Sequence, residues 1–195
     1  MKKNLLTSLI AILSGLCSFA QFTENFNDGD FTSNPVWGGG TADWTVNGSF
    51  QLQSNNTVLN STYYLSTAST KAITAQWEFF TVLSFNPSSA NYINVFLTAD
   101  AGDLTQSTTL GYFVRIGGTA DEICLYRKDG ATSVKLIDGA DGVLNTSSNA
   151  VQIKVIRDAA NQWQLSRNLN AGGFITEGIV TDATYLTSAF FGVLV

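Results

Sequence analysis

The chain has 195 residues, with 10 Lys and Arg against 15 Asp and Glu, a formal net charge of −5 and no histidine. An acidic balance disfavours nucleic acid and anionic membrane surfaces as partners. The lack of histidine removes Ser-His-Asp and Cys-His nucleophile systems and every histidine-containing metal site.

Residues 1–20 read as a signal peptide. Met1-Lys2-Lys3 is a short basic start, 5–16 is the apolar run "LLTSLIAILSGL", and Ser18 and Ala20 lie three and one before Gln21. This is the layout of a secretory signal cleaved after Ala20, and the run is too short to span a bilayer. Leu16 precedes Cys17, where a lipid-modification signal requires a small residue, so the protein is expected to be secreted or to reach the cell surface as a soluble export. Cleavage leaves eight basic groups against fifteen acidic ones, and leaves Cys124 alone, without a disulfide partner. Stability must then come from a core, and residues 21–195 are long enough to bury one as a single domain. No second apolar run reaches the ~18 residues of a membrane span.

The mature chain opens "QFTENFNDGDFTSNPVWGGG". "NDGDF" lacks the acid spacing and the distant Glu of an EF-hand loop. It reads as the end of a first strand turning through Gly29, before a long loop carrying Pro35 and three glycines. Two readings of Asp28 and Asp30 stay open: caps of a turn, or, with nearby carbonyls, ligands of one structural Ca²⁺. Trp37 and Trp44 flank "GGGTAD". Each is either a lid over the edge of the core or a loop ring that stacks on a sugar.

Strand periodicity follows almost everywhere. "ITAQWEFFTVLSF" places Ile73, Ala75, Trp77, Phe79, Leu83 and Phe85 on one face. "YINVFLT" gives Ile93, Val95 and Leu97; "LGYFVRIGG" gives Leu110, Tyr112, Val114 and Ile116; "EICLYRK" gives Ile123 and Leu125. "VQIKVIRD" gives Val151, Ile153 and Val155, and "NQWQLSRN" gives Trp163 and Leu165. Asn47-Gly48 and Asp129-Gly130 supply the positive-φ positions of hairpin turns, and "NPSSAN", "GGTAD", "DGADG" and "NAGG" are loop chemistry. No amphipathic helix, repeat or dividing linker is visible. Many short strands without helices predict an all-β fold, a two-sheet antiparallel sandwich.

"FTENFNDGDFTSNPVWGG", "WEFFTVLSFNPSSANYINVFLTAD", "GYFVRIGGTADEICLYRKDG" and "VIRDAANQWQLSRN" together resemble one family. It is the N-terminal concanavalin A-like (laminin-G-like, LamG-like) jelly-roll domain of large secreted bacterial surface proteins, and the similarity covers nearly all of 21–195. The resemblance implies a jelly-roll sandwich, a place at the cell surface, and further C-terminal domains, often of the lamin-tail type with a type IX sorting signal. It also implies a closing strand with paired acids after the "SAFFGV" strand, lying beside residues 22–26 near Asp28. Some relatives bind Ca²⁺ where first and last strands meet. The chain stops at "AFFGVLV", so the sequence is expected to be a fragment whose domain lacks its last strand. Segment 189–195 is expected to form a strand with one unpaired edge or a poorly supported partner.

The chemistry narrows to carboxylates and one sheet face. Cys124 alternates with Ile123 and Leu125, so it packs as a small residue within the sheet. Some concanavalin-like relatives are glycoside hydrolases that use a Glu-x-Asp-x-(x)-Glu strand. None of the four glutamates has that pattern, which leaves Glu78 and Glu122 as solvated acids or as a pair meeting across strands. If Ile93, Ile116 and Leu125 point inward, Asn94, Arg115 and Tyr126 point outward with Glu78 and Glu122, on four successive strands. Amide, guanidinium, phenol and acids can hydrogen-bond sugar hydroxyls, and Tyr126 offers a stacking surface. The same residues also make an ordinary wet sheet face. The expected function is a secreted, non-catalytic module of a surface protein that binds a polysaccharide or glycan or serves adhesion. The alternatives are a hydrolase-like domain and a structural spacer.

Overall fold

Alternating apolar side chains and frequent turn residues give thirteen strands among the described residues. In chain order they are β1 (Trp37–Gly39), β2 (Trp44–Val46), β3 (Leu52–Ser54), β4 (Tyr64–Ala68), β5 (Ala75–Leu83), β6 (Tyr92–Ala99) and β7 (Leu110–Gly117). β8 (Ile123–Asp129), β9 (Thr132–Ile137), β10 (Asn149–Arg157), β11 (Gln162–Leu169), β12 (Ile175–Thr181) and β13 (Phe190–Leu194) complete the set. A computed structural model describes residues 23–195. The expected signal peptide lies outside the described residues. No helix among the described residues is long and apolar enough to cross a membrane.

Two antiparallel sheets face each other, as the periodicity predicts. One has seven strands in the order β1-β4-β13-β6-β7-β8-β9, the other four in the order β12-β11-β10-β5. Val95, Leu97, Val114, Ile116, Ile123 and Leu125 point from the larger sheet onto Trp77, Leu83, Val151, Ile153, Val155, Trp163 and Leu165 of the smaller one. Trp77 and Trp163 stack at 5.7 Å and Tyr112 lies 4.4 Å from Trp163, so aromatic rings fill the centre. A second apolar cluster covers the inner side of β1 and β4. There Trp37, Trp44 and Leu65 gather Phe26, Phe31, Leu52 and Tyr63, and the small hairpin of β2 and β3 closes over them.

The end of the chain departs from expectation. β13 has no unpaired edge: Phe190 to Leu194 pair with β4, and Phe190, Gly192, Val193 and Leu194 also pair with β6. Strand order explains the misreading. The last strand inserts between two earlier ones, a placement that alternation within 189–195 cannot reveal. Residues 23–26 form no strand. The Asn47-Gly48 turn is also longer than a two-residue hairpin, with Phe50 rather than Gly48 at positive φ, whereas Gly130 takes φ +71 as expected.

One end of the interior is sealed by charge. Arg157, fully buried, donates to the carbonyls of Ala72 (2.9 Å), Tyr185 (2.8 Å) and Asp182 (3.2 Å), with its guanidinium 4.6 Å from the Trp163 ring centre. Beside it, Asp182 accepts bonds from the Tyr112 hydroxyl, Arg127 Nη1 and the Thr184 amide. Burial, and then the bond to Asp182, push the Tyr112 phenol up to about 12. An arginine without a carboxylate in this position is held by carbonyl dipoles and ring faces. Arg157→Ala would leave the Ala72 and Tyr185 carbonyls unpaired beside a cavity, while the Asp182 carbonyl keeps its bond from Trp163 Nε1. The substitution is expected to cost about 3–5 kcal/mol in urea unfolding; a loss below about 1 kcal/mol would contradict this account.

Candidate functional site

The outer face of the seven-stranded sheet is only partly wet. At its β4-β13-β6 side, Phe96, Ala99, Leu104 and Phe113 form a third apolar cluster with Tyr64, Tyr126, Phe190 and Leu194. Leu104 belongs to the loop 100–109, which folds back over the strands. Gly192 admits it: a Cβ there would lie 2.8 Å from Leu104 Cδ1 and 2.5 Å from the Leu65 carbonyl oxygen. Ser66 Oγ donates to the Gly102 carbonyl (2.7 Å), and Asp103 braces the loop by accepting from the Thr105 amide (3.0 Å) and hydroxyl (2.6 Å). The loop is a fixed wall on one side of the face.

Beyond the wall, β6 to β9 form the expected meander. Asn94 and Arg115 are cross-strand partners, as are Phe113 and Tyr126, and Tyr126 and Lys135. Arg115 Nε donates to Asn94 Oδ1 at 3.0 Å, and the guanidinium carbon lies 4.3 Å from the Tyr92 ring centre and 5.0 Å from that of Tyr126. Three of the outward residues named from the sequence thus come together. Tyr126 is a correction in one respect. Its ring stacks on Phe113 at 5.1 Å and 3°, and Arg115 and Lys135 lie 5.0 Å and 6.0 Å from its centre, so one face is covered and the ring is half-buried rather than fully exposed.

Glu122 borders the platform, but not as a solvated acid. It is 7% exposed, and its Oε1 accepts from Lys135 Nζ at 2.7 Å. Lys135 also donates to Asp138 Oδ1 at 2.5 Å. Cys124, buried as expected, sits beside them, accepting the Gly139 amide at 3.3 Å and pointing its thiol at Asp138. Burial, and then a hydrogen bond with Glu122, push that thiol up to about 12. Ligand-type atoms of Glu122, Cys124 and Asp138 lie within 4.8 Å of one another. A soft sulfur and a resident ammonium do not suit Ca²⁺, which takes hard oxygen ligands.

Glu78 is placed elsewhere. It lies on β5 of the four-stranded sheet, faces solvent, accepts from Gln152 (2.7 Å) and pairs with Lys154 (3.7 Å). The sequence grouped it with the meander because β5 precedes β6. The chain instead crosses to the other sheet between them. Glu78 and Glu122 therefore cannot flank one glycosidic bond. Glu122 and Asp138 are neighbours, yet both face Lys135, whose hydrogen bond is the main cause that holds the Asp138 carboxyl below its usual range. A general acid needs the opposite shift.

The remaining candidates serve the fold. Trp37 and Trp44 are 5% and 8% exposed; Trp37 meets Phe26 and Phe191, and Trp44 meets Tyr63, so neither presents a ring face to a sugar. Both follow the lid reading; their apolar neighbours are distant in sequence, which is why the glycine-rich loop context left two readings open. Asp28 Oδ1 accepts the Asp30 amide (3.1 Å). Asp30 accepts the Thr32 amide (2.6 Å) and the Ser33 hydroxyl (2.7 Å), and these bonds bring its carboxyl down to about 2. Both acids hold a turn. Lys135 and Tyr92 were missed, although counting back from the Gly130 turn would have set Lys135 opposite Tyr126. Depressions lined by Thr70 to Thr74 with Leu186, and by Phe80, Gln152 and Asn168, lie away from this platform.

No model of a known protein family matches the chain, and no curated protein matches it. Solved structures do. The carbohydrate-recognition domain of Emp47p aligns with TM-score 0.60 and 11% identity over 89% of this chain and 84% of that one. The carbohydrate-binding module CBM66 from Bacillus subtilis aligns with TM-score 0.56 and 9% identity over 82% and 86%. The exoplasmic/lumenal domain of VIP36, in a Ca²⁺- and mannose-bound form, aligns with TM-score 0.52 and 11% identity over 82% and 75%. At such identities the likeness is one of fold: a concanavalin-like, jelly-roll β-sandwich, as the sequence predicts.

The buried thiol gives a direct check of the site's rim. A thiol held protonated to about 12 is a weak nucleophile at pH 8. Iodoacetamide at pH 8 is expected to leave Cys124 of the folded protein unmodified over an hour and to label it fully in 6 M guanidinium, as mapped by peptide mass spectrometry. Because the folded value is raised, this group's contribution to stability is complete below the unfolded thiol's ordinary ~9 and is lost as pH rises from there through about 12. Rapid labelling of the native state would contradict the packing.

Proposed function

We propose that the protein is a non-catalytic glycan-binding module of a secreted or cell-surface protein, and that it binds on the outer face of the seven-stranded sheet. The carrying observation is the platform of Tyr92, Asn94, Arg115 and Tyr126, bordered by the 100–109 wall. Aromatic surface beside fixed amide and guanidinium donors is what sugar rings and hydroxyls require. All four side chains project from β-strands, so little conformational entropy is lost when a ligand seats. The fold likeness to carbohydrate-binding modules and lectin domains supports the reading. Export through the 1–20 signal, lamin-tail neighbours downstream and a type IX sorting signal belong to the same proposal.

A glycan array combined with a reducing-sugar release assay tests it. Retention without release is expected, and Tyr126→Ala should weaken retention at least tenfold. The variant should also lose stability by about 1–2 kcal/mol, because Tyr126 stacks on Phe113. Release of oligosaccharide would instead establish a hydrolase, and silence in both assays would leave a structural spacer. At Asp28 and Asp30, the residues considered for a structural Ca²⁺, the turn already engages both side chains. Millimolar Ca²⁺ against chelator is expected to move Tm by less than about 2 °C; a larger rise would assign a bound ion.

A further inference from the structure

We infer that the platform selects acidic glycans, with Arg115 receiving the carboxylate of a uronic acid; this rests on the glycan-binding reading above. Arg115 is the reason. In a chain with 15 acidic and 10 basic side chains, carboxylate partners are abundant. Arg127 pairs with Asp129 and Asp182, Lys135 with Glu122 and Asp138, Lys154 with Glu78, and Arg167 with Glu177. Arg157, buried, is held by carbonyls. Arg115 forms no ion pair among the described residues. Its single hydrogen bond is the one its Nε donates to Asn94 Oδ1.

That bond decides which edge is offered. Asn94 is 7% exposed and lies directly across the β6-β7 ladder, so it anchors the Nε side of the guanidinium. Tyr92 at 4.3 Å and Tyr126 at 5.0 Å flank the group. The two terminal nitrogens have no protein acceptor and are not among the buried unsatisfied atoms, so they reach solvent. A guanidinium fixed at one edge and free at the other presents two parallel N–H donors, the geometry that a planar carboxylate fills with both oxygens. Two tyrosines beside it supply apolar surface for the sugar ring bearing that carboxylate. A neutral glycan would leave this charge to hydroxyl dipoles alone. The protein's net charge of −5 opposes polyanions in general, so retention of an acidic glycan reports the local contact.

Isothermal titration of the secreted chain distinguishes the cases. The probes are oligogalacturonides, alginate oligosaccharides, fully methyl-esterified oligogalacturonides, neutral cello- and xylo-oligosaccharides, and dextran sulfate. At least one free uronate series is expected to bind, and esterification to weaken a binding galacturonate at least tenfold. Arg115→Gln should lose at least tenfold on that uronate with an unchanged circular dichroism spectrum and Tm. Arg115→Lys, which keeps the charge but not the fork, should recover only part of the loss. If neutral glycans bind and Arg115→Gln binds them as well as the parent, the acidic selection is wrong while the glycan-binding reading stands. Dextran sulfate binding as tightly as the uronates would overturn the carboxylate assignment. Failure of every glycan to bind would overturn both.

Discussion

The insertion of β13 between β4 and β6 is the constraint from which the rest of this structure follows. Without it the larger sheet would be two pieces, β1-β4 and the β6–β9 meander, each with an open edge. With it, Phe191 and Val193 touch both inner clusters, so the core behind the meander and the core behind β1 become continuous. On the outer side of the same strand, Gly192 provides the gap that Leu104 fills. One five-residue strand thus closes the sheet, joins two cores and seats the loop that borders the candidate site. Such long-range pairing, between residues near 65, 95 and 193, makes a high contact order, and assembly of the larger sheet must await β13.

Charge is used in two different ways. At the sealed end, Arg157, Arg127, Asp182, Tyr112 and Tyr185 form one connected set between the sheets, where every donor but Arg157 Nε meets an oxygen acceptor. Groups this deep are tolerated because almost every polar contact is made. On the outer face the logic changes. Lys135 pairs with Glu122 and Asp138 at the rim, while Arg115 on the same face pairs with no carboxylate among the described residues. The first arrangement stabilises the fold; the second keeps a donor available at the surface.

Legibility in the sequence divided along the same lines. Alternation in "ITAQWEFFTVLSF", "YINVFLT" and "VQIKVIRD" exposed the strands and their buried faces because side-chain direction in a strand depends only on local backbone. Asn94, Arg115 and Tyr126 were legible as one group, since β6, β7 and β8 are consecutive in the chain and adjacent in the sheet. Glu78 was misplaced because nothing in the residues between 83 and 92 announces a crossing to the other sheet. Trp37 and Trp44 were ambiguous for a related reason: their neighbours Leu65 and Phe191 are contributed by distant strands. Arg157 was invisible as a buried charge, because its partners are backbone carbonyls, and a carbonyl carries no residue-specific signal.

The platform's position on strands also restricts what it can recognise. Cross-strand neighbours are set by the ladder at fixed spacing, so the Asn94–Arg115 bond and the Phe113–Tyr126 stack hold without help from flexible loops. The single loop that approaches, 100–109, is pinned by Leu104, Ser66 and Asp103 and borders the platform from one side only. A surface walled on one side does not enclose a small molecule, and enclosure is what gives small ligands their affinity. A glycan chain of the kind proposed would run past this surface, with one residue on the arginine fork and its neighbours extending beyond the meander. Each sugar then contributes little, and affinity would come from repetition along the polymer and from any further copies of the module carried by a surface protein.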